Sequence, residues 1–343
     1  MTKRFEHIDA LKGLAIFLMV MGHVLSSFYP DPYLVYESEP RSAMLLFRII
    51  YSFHMPLLIF LSGYVTLRLS DYSLRNCAST LWRRFRTLVI PFFTVGLLRY
   101  VVMHQYLLDY WFIWILFQFI LLTLCIEFIG ARIPKYGSSI VTIGIVLIAL
   151  VLQYFNASLN QYDRMPLLDA GHWPLYLFFV AGYLCAKYDA IDRLINNNWL
   201  YSLSVVLSFG LTFWVTIWGK HLPLWSKWNC VLPLSVIVML VYLFRNALDS
   251  TRIYFRQLMY VGKNSLAIYL LHFFFIPPMY HVGAWFIGAN AQFIGGGAIF
   301  VQFIMVGAVT AIVILLTLGL TKIIETSSIL STLLLGKKYE TRK

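Results

Sequence analysis

The 343 residues carry 27 Lys and Arg against 15 Asp and Glu, a net charge of +12, yet only 12% are charged and 60% are hydrophobic. A water-soluble domain covers itself with charge at about a quarter of its residues, so composition excludes a soluble fold. Charge of this size would point a soluble protein toward nucleic acid, but here lysine and arginine concentrate in short loops between apolar blocks, so membrane lipids are the expected surroundings and no nucleic-acid partner is.

A membrane-crossing helix needs roughly 20 mostly apolar residues, and such blocks recur along the whole chain. The expectation is an all-α, polytopic integral membrane protein of about ten transmembrane helices, at 8–28, 43–67, 88–105, 110–130, 138–155, 172–187, 199–218, 228–245, 262–281 and 297–321. Asp9 and Lys12 interrupt the first apolar run and no A-x-A-like site follows, so it is read as a membrane helix and not as a cleaved signal. No soluble domain, repeat or low-complexity linker separates the blocks, so residues 1–343 form one membrane domain. With the N-terminus in the cytoplasm, only Arg41, Arg99, Arg164, Lys220 and Lys227 fall on the outer side. Lys12 and Arg48 lie inside helices, and the other twenty of the 27 basic residues fall on the inner side. Positive charge marks the cytoplasmic side, so both termini are expected there. The polar loops 29–42 and 156–171 are then external, and the tail 322–343 is a basic amphipathic stretch along the inner leaflet.

Ionisable side chains at membrane depth are costly and usually functional. The first helix has three. Lys12 and His23 are eleven residues apart, within about 20° around a helix and roughly 16 Å along it. Asp9 falls about 40° to the other side of His23. Alone, Asp9 and Lys12 would be an interfacial ion pair with Lys12 snorkelling, and His23 could equally be bonded to a neighbouring helix.

In the second helix, Phe53-His54-Met55-Pro56-Leu57 puts His54 beside a proline that cannot donate to the carbonyl four residues back, so a kink or break is expected. Ser62-Gly63 permits close helix packing. Arg83 and Arg86 share a face at i,i+3 and suit phosphate oxygens, although positive-inside charge alone also explains them. Trp111 and His172-Trp173-Pro174 open helices at the outer face, where aromatics form interface belts. His272 is a further intramembrane histidine. Glu127, Arg48 and Arg99 also fall at membrane depth, without assignable partners. Cys77, Cys125, Cys185 and Cys230 form no C-x-x-C pair, so neither a disulfide framework nor a zinc site is indicated. No H-E-x-x-H, phosphate-cradling glycine loop or G-x-S-x-G occurs, and no metal is expected.

These residues together resemble the acyltransferase-3 family of membrane O-acyltransferases. Asp9-Ala10-Leu11-Lys12-Gly13-Leu14-Ala15 followed by His23 looks like the family's opening D-x-L-R-G-x-A and histidine. Phe53 to Tyr64 resembles its second-helix motif, nearest to the branch related to fucose O-acetylases. Arg83-x-x-Arg86 is similar to its cytoplasmic R-x-x-R. Trp111-Phe112-Ile113, Phe179-x-x-Gly182-Tyr183, Ser265-x-x-Ile268-Tyr269-x-x-His272 and Leu335-Gly336-Lys337 follow in order. Lys12 stands where the family pattern has arginine, keeping the charge but not the fork geometry. Asp109-Tyr110 precedes Trp111 where the family has a histidine.

The resemblance implies ten membrane helices and O-acylation of a cell-surface or lipid-linked carbohydrate in a bacterial inner membrane. Acyl-CoA, by analogy acetyl-CoA, is the implied donor and is a co-substrate rather than a resident cofactor. His23 is then the candidate general base, since a dry setting favours the neutral imidazole that accepts a proton. Asp9 and Lys12 would position donor or charge, Arg83 and Arg86 would hold coenzyme A phosphates, and His54, Ser62, Trp111 and His272 would position acceptor or thioester. Direct transfer and a covalent acyl-histidine both remain open. A flippase or transporter of a lipid-linked sugar is the alternative, since intramembrane charge and a broken helix suit it too.

Overall fold

The computed structural model describes residues 6–27, 45–66, 69, 71–104, 110–133, 137–159, 170–217, 230–248, 251–282 and 296–337. All regular structure among them is helical. Six helices are long and apolar enough to cross a membrane, or seven if one bent pair is a single span. The expected outer loops, with Glu37, Glu39, Arg41, Asp163, Arg164 and Asp169, lie outside the described residues apart from their edges, as does the basic cluster after Lys337.

The helices are α1 (Glu6–Ser26), α2 (Leu45–Thr66), α3 (Leu74–Arg84), α4 (Ile90–Met103), α5 (Trp111–Gly130), α6 (Gly137–Leu159), α7 (Tyr176–Lys187), α8 (Asp189–Ile195), α9 (Asn198–Ile217), α10 (Val231–Tyr242), α11 (Ile253–Lys263), α12 (Ser265–Leu271), α13 (Gly296–Ile324) and α14 (Ser328–Leu335). Chain contacts divide them between two compact units. One comprises Met1–Met55, Tyr201–Leu224 and Ser235–Thr321, the other Pro56–Leu200, Trp225–Leu234 and Lys322–Lys343. Leu97, Val101, Ile143, Leu147, Phe209, Phe213, Leu315 and Leu316 are all exposed, an apolar exterior that only a hydrocarbon solvent tolerates over such an area.

Three expected boundaries differ. The third helix begins at Leu74, not 88: α3, a π turn (Phe85–Val89) and α4 form one 30-residue run. The extra turns are amphipathic and so lack the apolar signal, but Ser73 caps them by accepting from Asn76 N–H at 3.4 Å, as N-cap serines do. The ninth helix is not continuous over 262–281. It breaks between α11 and α12, and the two pieces bend by 64°. The Asn264 side chain donates to Tyr260 O at 3.0 Å, taking the carbonyl that its own backbone N–H would use in a helix. The helix ends at Phe275, and Ile276 is extended, as the residue before Pro277 prefers. Finally, α2 continues as one helix through Pro56, so of the kink or break expected there the break is absent.

In the first unit α1 lies against α11 with almost no gap. A Cβ on Gly13 would sit 2.0 Å from Leu258 O, and one on Gly262 1.8 Å from Asp9 O, so only glycine permits this backbone approach. In the second unit α2 and α7 meet the same way: a Cβ on Gly63 would be 2.1 Å from Phe179 O, and one on Gly182 2.0 Å from Phe60 O. That places Gly63 in the packing role expected of it. Tail helix α14 packs on α4 and the π turn. Its open side presents Ile329, Leu330 and Leu333, so it is apolar rather than polar outward.

Candidate functional site

Three histidines of the first unit, His23, His54 and His272, are the candidate site residues. α1 carries His23, and the end of α12 turns into a 3₁₀ stretch, His272–Phe275, that brings His272 to it. The two ring centroids are 5.2 Å apart with planes at 39°. Phe273 lies 4.8 Å from His23 and 4.1 Å from His272, so an aromatic ring closes one side of the pair. His272 is fully buried and its Nδ1 faces Ile268 O at 2.9 Å and Tyr269 O at 2.8 Å. A nitrogen between two carbonyls must carry the hydrogen and donate, which leaves Nε2 as the basic atom of the neutral ring.

His54 follows the same rule. Its Nδ1 donates to Ile50 O at 2.8 Å, fixing Nε2 as the acceptor. The carbonyl that Pro56 frees is that of Ser52, so the histidine does not use it. The edge of Tyr51 meets His54 at 4.7 Å between centroids. The same Tyr51 ring lies so close to Gly22 that a Cβ there would be 2.7 Å from it. Tyr51 therefore bridges His54 to the residue beside His23. Sequence reading did not single out Tyr51, because an aromatic at helical spacing in an apolar helix carries no signal of its own.

Asp9 is buried and Lys12 half-buried on the same helix, beside the Gly13–Gly262 crossing. Lys12 stands roughly 16 Å and Asp9 roughly 21 Å along α1 from His23, so the stripe has two separate polar ends. Among the described residues no three His, Cys, Asp or Glu converge closely enough to hold a metal.

The second unit holds the arginines. Arg83 is exposed and Arg86 half-buried, with the π turn opening between them at Phe85. Arg84, which the sequence reading passed over, donates from Nη2 to Thr66 O at 2.9 Å and so ties α3 to the end of α2. Arg86 Nε is buried with no hydrogen-bond partner among the described residues. Trp82 stacks on Phe85 at 5.7 Å and 12°.

Ser62 and Trp111 also belong to this unit. The Ser62 hydroxyl donates to Leu58 O of its own helix at 2.7 Å. Trp111 stacks on His172 at 3.8 Å and 13°. Glu127, which had no assignable partner in the sequence, is 4% exposed and accepts from Lys187 Nζ at 2.6 Å and from the Tyr183 hydroxyl. Tyr183 in turn meets the Tyr72 hydroxyl at 3.1 Å, just ahead of α3. Arg99 is buried with its guanidinium 5.4 Å from the Tyr110 ring centre. The side chain of Arg48 lies outside what the structure describes.

The family profile described as an acyltransferase domain, of the acyltransferase-3 family, matches residues 5–319. No curated protein and no solved structure matches the chain. The profile spans nearly all of both units, and the chain belongs to the acyltransferase-3 family: it is a multi-pass membrane acyltransferase.

Proposed function

From that membership as premise, we propose that the chain is an O-acetyltransferase of a bacterial inner membrane, moving an acetyl group from acetyl-CoA to a hydroxyl of a cell-surface or lipid-linked carbohydrate. The observation that carries the proposal is the His23–His272 pair, with the ring centroids 5.2 Å apart and the second ring's tautomer fixed. Acyl transfer from a thioester to an alcohol needs a base for the hydroxyl proton and a site from which water is excluded. Imidazole on an apolar helix supplies the first, and the Phe273 ring beside it favours the second.

In the direct route His23 takes the acceptor's hydroxyl proton as that oxygen bonds to the thioester carbonyl carbon. The tetrahedral oxyanion collapses, the carbon–sulfur bond breaks, and the leaving thiolate takes the proton back from the imidazolium. In the covalent route a His23 nitrogen bonds to the thioester carbonyl carbon, the carbon–sulfur bond breaks and coenzyme A leaves as the thiolate. The alcohol oxygen then bonds to that carbon, the carbon–nitrogen bond breaks and the freed imidazole takes the hydroxyl proton, which gives ping-pong kinetics. His272 and His54, each committed at Nδ1 to a backbone carbonyl, offer Nε2 to orient acceptor or thioester. Lys12, with Asp9, supplies fixed charge at the far end of α1. Arg83 and Arg86 are the proposed holders of coenzyme A phosphates, since guanidinium forks match phosphate oxygens.

The test is transfer of radiolabel from acetyl-CoA by purified protein in liposomes, with bacterial glycolipid extract as acceptor, wild type beside His23→Ala. Label reaching an alkali-labile ester in wild type alone supports the reading. Equal transfer by both removes His23 as base. No coenzyme A binding and no transfer would favour a carrier of lipid-linked sugar instead.

A further inference from the structure

The matched domain stops at 319, yet the chain beyond it is folded onto the arginine segment of the same unit. After α13 the chain turns at Glu325–Ser327, where Ser327 caps α14 by accepting from Leu330 N–H at 3.4 Å. α14 then lies on α4 and on the π turn. The Thr94 hydroxyl of α4 donates to Leu333 O. Gly336 closes the helix with φ 63°, a left-handed cap that glycine adopts without strain. There it meets Thr87: a Cβ on Gly336 would be 2.6 Å from both Thr87 Cα and Thr87 O. Two further bonds lock the cap, from Gly336 N–H to Thr332 O at 3.1 Å and from Lys337 N–H to Ser331 O at 3.2 Å. Lys337 and Lys322 both pair with Glu325, the second at 3.0 Å, and so pin the two ends of the segment together.

Thr87 is the residue after Arg86, inside the π turn. A π turn holds an extra residue, so its winding decides where the side chains along it point. The buried Arg86 Nε makes no hydrogen bond to the described residues. We propose that Ser327–Lys337 is a clasp that holds the π turn wound and thereby aims Arg86 at the donor's phosphates, with Gly336 as the positioning residue. This rests on the donor reading above and adds a part of the chain beyond the acyltransferase domain to the donor site. A clasp of this kind acts on the phosphate end of the donor, because Gly336 packs on Thr87, the residue next to Arg86.

The experiment is calorimetric titration of coenzyme A and of pantetheine, which lacks every phosphate, into the purified full chain in detergent. Gly336→Val should weaken coenzyme A about tenfold, the size of one lost charged hydrogen bond, and leave pantetheine unchanged. Combined with Arg86→Ala it should add nothing to the effect of Arg86→Ala alone. If Gly336→Val fails to fold, Thr94→Val, which removes the hydroxyl that reaches Leu333 O across the clasp and Ile90 O and Pro91 O within α4, should weaken coenzyme A about threefold. Wild-type affinity in the variant that folds, equal loss for both ligands, or additivity with Arg86→Ala each overturns the clasp. A wild-type chain that binds no coenzyme A overturns the donor reading, and the clasp's role with it.

Discussion

The imidazoles of His23 and His272 lie 5.2 Å apart at their centroids, although they come from the first helix and from a short 3₁₀ turn far along the chain. Their proximity makes unequal losses the expected result of removing them. His23→Ala should cut turnover by about 10²–10⁴, the range of general-base catalysis. His272→Ala should cost less and raise KM for the acceptor. Acetyl transfer at varied acceptor concentration separates the two. Equal loss in both variants would contradict the assignment of His23 as the base.

A second expectation concerns the buried group around Glu127. Glu127→Ala takes the carboxylate from the Lys187 ammonium and leaves the Tyr183 hydroxyl only its contact with Tyr72, and should lower stability by roughly 1–3 kcal/mol. Glu127→Gln keeps hydrogen-bonding capacity and should lose less. Thermal unfolding in detergent measures both, and identical midpoints for Glu127→Ala and wild type would refute the network's structural role.

The glycines divide by what stands in front of them. Gly63→Ala and Gly182→Ala force a Cβ within 2.1 Å of a facing carbonyl oxygen and should destabilise by about 1–3 kcal/mol. Gly210 has nothing within 4 Å of such a Cβ, so Gly210→Ala should stabilise by roughly 0.5–1 kcal/mol. Midpoints ordered otherwise would mean that the glycine contacts do not limit packing.

Acid should loosen the tail through Glu325. Partial burial pushes this carboxyl up, but the bonds from Lys337 and Lys322 outweigh it and hold it below its ordinary 4.5. A depressed folded value means a stabilising contribution that is complete above the ordinary value and lost as pH falls through the folded one. Wild type and Glu325→Gln should therefore differ in stability at pH 7 and converge as pH falls from the ordinary carboxylate range through the lowered folded value. A difference that grew on acidification would reverse the assignment.

The membrane helices and the stripe on α1 were legible because apolar blocks and charges at membrane depth are local properties of the sequence. The first turns of α3 were not, since an amphipathic run has no apolar signal and its start depends on the Ser73 cap. The bend at Asn264 turns on one side-chain amide competing with its own backbone. Glu127 could be seen as anomalous, but its partners Tyr183 and Lys187 stand on a different helix, and no spacing rule links α5 to α7. Tyr51 was silent for the same reason. Its position between Gly22 and His54 exists only once α2 lies beside α1.

The crossing of α1 and α11 has a mechanical consequence. Gly13 and Gly262 each press against the other helix's backbone, a tooth and slot in both directions. A helix keyed this way cannot turn about its long axis without prising the two backbones apart. His23 sits about 15 Å further along the same shaft, so its compass bearing is set by a pair of residues that carry no side chain at all.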